Sequence, residues 1–202
     1  KNKLSILVGD YNFSKALTNM ADIDSMDSVK ILANLASRLS QGEILQIEKA
    51  LSKNIDEETY FRMISDKTAS LFSASCKLGA ITATNDPIKI NALSRFGEYL
   101  GQAFQIKDDL FDIIGNIGNT GKPSGYDLKK NMLTLPLIYI FDKKNSLEKK
   151  VFKLKLKMML RKNKFTDIKN LIIEEGGIDY AESKLLEVSM LSRAELEIFD
   201  ES

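Results

Sequence analysis

The sequence contains no histidine, no tryptophan, one cysteine (Cys76) and only three prolines in 202 residues. Each scarcity closes off a class of chemistry. Without histidine there is no Ser/His/Asp or Cys/His nucleophile scheme and no His-based zinc site. A single cysteine excludes an internal disulfide and fits a reducing, cytoplasmic setting. A net charge of +1 gives no global electrostatic case for nucleic acid. No apolar run is long enough to cross a bilayer, and no signal-peptide pattern opens the chain, so stable membrane insertion is not expected. Proton transfer or metal chemistry must rest on Asp, Glu, Lys, Tyr or a substrate.

What remains is enough for a core: 44% of residues are hydrophobic and 28% charged, which suits a folded domain rather than disorder. Apolar spacing is helical nearly everywhere. The first segment, about 3–21, carries Leu4, Leu7, Val8, Tyr11, Ala16, Leu17 and Met20 as a stripe. The second, about 26–51, carries Val29, Leu32, Leu35, Ala36, Leu39 and Leu45. Asp56 with Glu57 and Glu58 marks a helix start. The helix it opens reaches about Ala83, with Ile64, Leu71, Phe72, Cys76 and Ala80 inward.

Asp86-Pro87 starts the next helix, which runs to about Ile114; Gly97 and Gly101, a turn apart, predict a close helix approach. A glycine-rich loop is expected over 115–125. Shorter helices follow at about 133–143, 146–161, 166–175 and 178–199. Residues 149–164 hold eight Lys/Arg and no acid, which reads most simply as a solvated helix face. The expectation is an all-α bundle of long antiparallel helices, one domain over 1–202. The chain begins with Lys1 and enters a helix at once, so it reads as a piece of a longer protein with helices missing at its N-terminus.

Chemistry concentrates in Gln105-Ile106-Lys107-Asp108-Asp109-Leu110-Phe111-Asp112. On a helix, Asp108 and Asp112 stack one above the other and Asp109 lies alongside. Three carboxylates then crowd one patch of a helix otherwise covered by Leu100, Phe104, Ile106, Leu110, Phe111, Ile113 and Ile114. Acids there need cationic partners or a metal, and clustered carboxylates suit magnesium. Read alone, an Asp-Asp-x-x-Asp also suits the wet face of an amphipathic helix.

The segment from Phe104 to Asp112, followed by Gly121-Lys122-Pro123, Asp127-Leu128 and Thr134-Leu135-Pro136-Leu137, resembles the second aspartate-rich region of trans-polyprenyl diphosphate synthases. So do Leu7-Val8-Gly9-Asp10-Tyr11, Gln41-Gly42-Glu43 and Lys67-Thr68-Ala69-Ser70-Leu71-Phe72, in that family's order and spacing up to about residue 140. The resemblance implies a prenyltransferase that joins isopentenyl diphosphate to an allylic diphosphate by magnesium-assisted ionisation, releasing pyrophosphate. It implies that Asp108, Asp109 and Asp112 are metal ligands and catalytic. It also implies that Lys67, Thr68, Gln105 and Lys122 contact the diphosphate, Lys67 with a catalytic part, and that the protein is a homodimer.

Two departures accompany the resemblance. The first aspartate-rich motif, the arginine pair after it and the isopentenyl diphosphate residues would lie upstream of Lys1, so the chain alone is expected to be nearly inactive. Met132 stands where such proteins commonly carry lysine, with Lys129 or Lys130 as stand-ins. A non-catalytic partner subunit of a heteromeric synthase is the alternative; a class I terpene cyclase is more distant, since the Gly-Lys-Pro and Lys-Thr-Ala blocks speak against it. Phe72 and Phe104 are read as core or as walls of an elongation pocket.

Overall fold

Helix starts follow local capping chemistry. Asp56 takes an extended conformation and its carboxylate accepts from the Thr59 amide at 2.8 Å; Asp86 accepts from the Ile88 amide at 2.9 Å. Asn145 and Glu148 form a reciprocal capping box, which satisfies amides a helix terminus otherwise leaves unpaired. The computed structural model describes residues 2–22, 25–52, 55–114 and 133–199.

In chain order the elements are α1 (Asn2–Asp22), α2 (Met26–Ser52), α3 (Glu57–Ile64), a π-helical turn (Ser65–Ala69), α4 (Ser70–Ala83) and α5 (Pro87–Ile114). Beyond residue 133 follow α6 (Leu135–Asp142), α7 (Ser146–Arg161), α8 (Phe165–Glu174) and α9 (Gly177–Ala194). No strand occurs among the described residues. The all-helical expectation and most boundaries hold. The loop expected over 115–125, with Lys122, Lys129, Lys130 and Met132, lies outside the described residues.

The long helix α5 is the centre, packed on α4 along one side and α9 on another. Gly97 faces the Phe72 carbonyl so closely that a Cβ would meet it at 2.6 Å, the close approach its sequence predicted. The core runs from Tyr60 and Ile64 through Ile106, Leu110 and Ile113 into α6, whose Leu135, Leu137, Ile138 and Ile140 are fully buried. Phe152, Leu156, Ile168, Ile172 and Ala181 close it from α7, α8 and α9.

Three expectations need correcting. The α1 stripe is exposed: Leu4, Leu7, Val8, Tyr11 and Leu17 all face outward, because α1 packs chiefly on α2 and a periodic stripe does not say what covers it. Leu71 is also exposed. The π turn spends an extra residue per turn, so the helix re-emerges out of phase and Ser70, Ser73 and Ala74 are buried instead. The last helix stops at Ala194 rather than 199: Leu196 donates to Arg193 and Phe199 to Leu196, both at 3.0 Å, which tightens the chain into short turns. Among the described residues no helix is long and apolar enough to cross a membrane.

Candidate active site

The π turn Ser65–Ala69 sits inside what is otherwise one helix from Glu57 to Ala83, and it carries Lys67 and Thr68. A π turn is poorly favoured and persists where its surroundings hold it; such bulges gather at functional sites. Here it is gripped from both sides. At Gly42 of α2 an added Cβ would lie 2.5 Å from the Lys67 amide nitrogen and 2.9 Å from the Asp66 carbonyl carbon. At Gly101 of α5 it would strike the Ala69 Cα. Backbone thus rests on backbone across both contacts. The Ser70 amide donates to the Ser65 carbonyl, the five-residue bond of a π turn. The Ser70 hydroxyl donates to the Asp66 carbonyl at 2.7 Å.

Polar side chains tie the turn to its neighbours. Arg38 on α2 donates from Nε to Asp66 at 2.8 Å and from both terminal nitrogens to Glu98 on α5, at 2.8 and 2.6 Å. The Glu98 carboxylate, with Asp66 behind it, raises the Arg38 pKa above its ordinary value against the opposing effect of burial. The guanidinium stays charged, and its planar fork suits a carboxylate bidentately. One turn along α5, Gln102 donates to the Ser65 hydroxyl at 2.6 Å.

Next along the seam, the Thr68 hydroxyl donates to Gln105 Oε1 at 2.7 Å, and Gln105 Nε2 donates to Asp109 Oδ1 at 2.8 Å. The Tyr60 hydroxyl donates to Asp109 Oδ2 at 2.7 Å. Both oxygens of Asp109, only 7% exposed, are therefore hydrogen-bonded. Glu98, Gln102, Gln105 and Asp109 recur at helical spacing, so this polar stripe of α5 faces α3 and the π turn along its length.

The sequence-expected residues fall into distinct environments. Asp108 is exposed, and no hydrogen bond or ion pair to it occurs among the described residues; Asp112, a turn further on, is half-buried. Asp109 is the buried member. Gln105, a turn before Asp109, donates to it. Lys67 forms an ion pair with Glu43 at 3.1 Å and also donates to Gln46, both on α2. Thr68, Gln105 and Asp109 are thus brought together, Lys67 reaches instead to α2, and Asp108 and Asp112 lie on the same helix as Gln105 and Asp109.

Among the described residues no three acidic or cysteine side chains converge on a point that could hold a metal ion. The donor set still suits a hard cation that takes one or two carboxylates and fills its remaining positions with phosphate oxygens and water. Asp108, Asp109 and Asp112 have the chemistry for that, and Asp109 in addition accepts from Gln105 and Tyr60.

Arg38, Glu98, Tyr60 and Glu43 were not picked out as functional from sequence. Besides the Gln41-Gly42-Glu43 block, Gly42 carried a signal of its own, a glycine inside a long helix, where it costs about 1 kcal/mol relative to alanine. Arg38 read as an ordinary cation on a helix face, because its two acceptors are 28 and 60 residues away.

Comparison with known proteins places the chain in a family. Residues 1–174 match the polyprenyl synthetase family. The octaprenyl diphosphate synthase of Haemophilus influenzae is 29% identical over 201 residues, covering 100% of this chain and 61% of that protein. Heptaprenyl diphosphate synthase component 2 of Geobacillus stearothermophilus is 38% identical over 138 residues, 68% of this chain and 43% of that one. The solved decaprenyl diphosphate synthase of Rhodobacter capsulatus superposes with a TM-score of 0.89 at 31% identity, covering 100% of this chain and 62% of that one. A polyprenyl synthase of Caulobacter crescentus, solved with calcium and isoprenyl diphosphate, superposes at 0.87 and 31% identity, covering 98% of this chain and 61% of that one. The chain spans less than two thirds of the length of each of these relatives. It belongs to the polyprenyl synthetase family.

Proposed function

With that membership as premise, we propose that the protein is a trans-polyprenyl diphosphate synthase, and that this chain supplies its grip on the allylic diphosphate. The reaction joins isopentenyl diphosphate to an allylic diphosphate. The allylic carbon–oxygen bond breaks with its electron pair leaving on pyrophosphate. The isopentenyl double bond attacks the allylic carbon, and a proton is lost to the departing pyrophosphate. No histidine is needed, consistent with a sequence that has none.

The supporting observation is the unbroken line Thr68–Gln105–Asp109–Tyr60 hung on a clamped π turn. Asp109, fixed by Tyr60, orients the Gln105 amide. Gln105 in turn fixes the Thr68 hydroxyl beside Lys67. Lys67 rests on Glu43 and Gln46, and a diphosphate, carrying more charge than either, competes for its three protons. Lys122, outside the described residues, is proposed as a second cationic grip. A divalent cation, magnesium by expectation, would be held by Asp108, Asp109 and Asp112, and when bound it would supply charge neutralisation at the diphosphate. Asp109 also acts as a positioning residue. A homodimer in the cytoplasm is part of the same proposal.

The test is a prenyl-transfer assay on the full-length protein with isopentenyl and farnesyl diphosphates and magnesium. Asp108→Ala should lower kcat by roughly 10²–10³, the scale of losing one charge-stabilising group, with no change in the unfolding midpoint. A variant as active as the parent would overturn the reading. The match to a synthase component favours one second reading, a subunit that tunes a catalytic partner. Folded full-length protein that turns over only with an added homologue would establish it.

A further inference from the structure

Helix α7 (Ser146–Arg161) has two apolar faces. Phe152 and Leu156 are buried in the core. On the opposite side Leu147, Val151, Leu154 and Met158 follow one another at steps of four, three and four residues. That spacing is a straight stripe along a helix. All four stand in solvent, from Leu147 at 73% exposed to Met158 at 51%. The outward centre of a surface helix is normally its most polar line; here it is the most apolar.

Cations flank this stripe. At 100° per residue, Lys150, Lys157 and Arg161 fall on one edge and Lys155 on the other, and all four are exposed. No acidic residue lies between 149 and 164. Among the described residues none of these four forms an ion pair. The pattern does not read as a salt-bridged solvated face, which would interleave acids with the bases.

We propose that the outward face of α7 docks on anionic lipid bilayers, lying in the plane of the surface. The geometry selects the partner. A convex single-helix ridge has no groove to receive a peptide. A second copy of the chain would set like-charged rims against each other. A bilayer carrying anionic headgroups presents negative charge at the height of the rims and hydrocarbon beneath the centre, which is the complement of this face. Lys and Arg stems can lie along the apolar stripe while their heads reach the phosphates. No helix here is apolar enough to span, so docking is peripheral. The inference stands on α7 alone and does not depend on the proposed reaction.

The test is co-sedimentation of the full chain with vesicles of phosphatidylglycerol and phosphatidylcholine, beside vesicles of phosphatidylcholine alone. Binding is expected to the anionic vesicles only, and to fall with salt. Lys150→Gln with Lys157→Gln should weaken partitioning about 25-fold, roughly fivefold for each cation removed from an anionic surface. Val151→Ser with Leu154→Ser should weaken it about tenfold or more through lost apolar burial. Leu7→Ser, on the exposed face of α1, should leave it within about twofold, following the area argument for a residue off the surface. Equal binding to neutral vesicles, or indifference to both α7 variants, would overturn the proposal. So would an α7 variant that dissociates an oligomer in sedimentation velocity, since a second copy would then be the occupant. The lysine variants lie wholly on the surface, so their result holds even if the apolar pair perturbs folding.

Discussion

The seam where α5 meets the π turn and the outer face of α7 are opposites. The first keeps polar groups inside: Arg38, Glu98, Gln102, Gln105 and Asp109 all lie between helices. The second keeps large apolar side chains outside: Leu147, Val151, Leu154 and Met158. Both break the rule that sorts a helix into a dry and a wet side, yet they break it differently. In the seam every departure is answered within the chain, since no buried side-chain polar atom among the described residues lacks a partner. On α7 nothing in the described chain answers. A satisfied departure marks a place built to hold its shape, and an unsatisfied one marks a place awaiting something else.

Substitutions at either region can break or sharpen this contrast. The largest effect is expected from Gly42→Ala, whose methyl would meet main-chain atoms at 2.5–2.9 Å with no rotamer to escape into. A loss of about 3 kcal/mol in urea unfolding is expected, at the upper end for overpacking. A loss under about 0.5 kcal/mol, the range of an unconstrained surface site, would mean the π turn is not clamped.

Arg38→Met should follow, removing the cation between two carboxylates. Full burial would put the loss at 3–5 kcal/mol. Arg38, Asp66 and Glu98 keep between 16% and 29% of their side chains in solvent, so about 2 kcal/mol is expected after screening. Arg38→Lys should recover only part, because a point charge cannot grip Glu98 bidentately while also reaching Asp66.

Tyr60→Phe is a smaller cut, deleting one hydrogen-bond donor to the buried Asp109. About 1–2 kcal/mol is expected and, on the proposed reaction, a larger rise in KM for the allylic diphosphate than fall in kcat. Unchanged KM would separate the seam from substrate binding. The smallest effect closes the comparison from the other side. Leu154→Ser, on α7, should move stability by less than about 0.5 kcal/mol, because its outer face contributes nothing to the chain's own fold.

How much of this was legible beforehand depended on whether the cause was local. Asp56, Asp86-Pro87 and the start at Ser146 were readable because a cap is a transaction among four or five neighbours. The bundle itself followed from apolar spacing. The fate of α1 did not, since Leu4, Leu7 and Val8 define a stripe without naming its cover. Leu71 faces outward where apolar spacing points it inward: the π turn at 65–69 leaves no mark in apolar periodicity, and extrapolating from Ile64 across it carries the wrong phase. The aspartates show the same limit. Gln105, Asp108, Asp109 and Asp112 share less than a third of the helix circumference, so spacing brings them together but cannot say which one Tyr60, 49 residues earlier, will claim. On α7 the basic run masks the pattern, because eight cations over 149–164 hide the two apolar faces between them.

One property of the π turn extends beyond the residues it displays. Because Gly42 and Gly101 let main chain touch main chain, the gap between α2 and α5 at this height is set by atoms common to every amino acid. Side-chain cores drift: they repack with temperature, absorb a methylene here and lose one there. A spacing ruled by the backbone has no such play. Elsewhere in the bundle the helices can wander over evolutionary time while their packing adjusts, but here the ruler is fixed. Any descendant that keeps the turn inherits the same width.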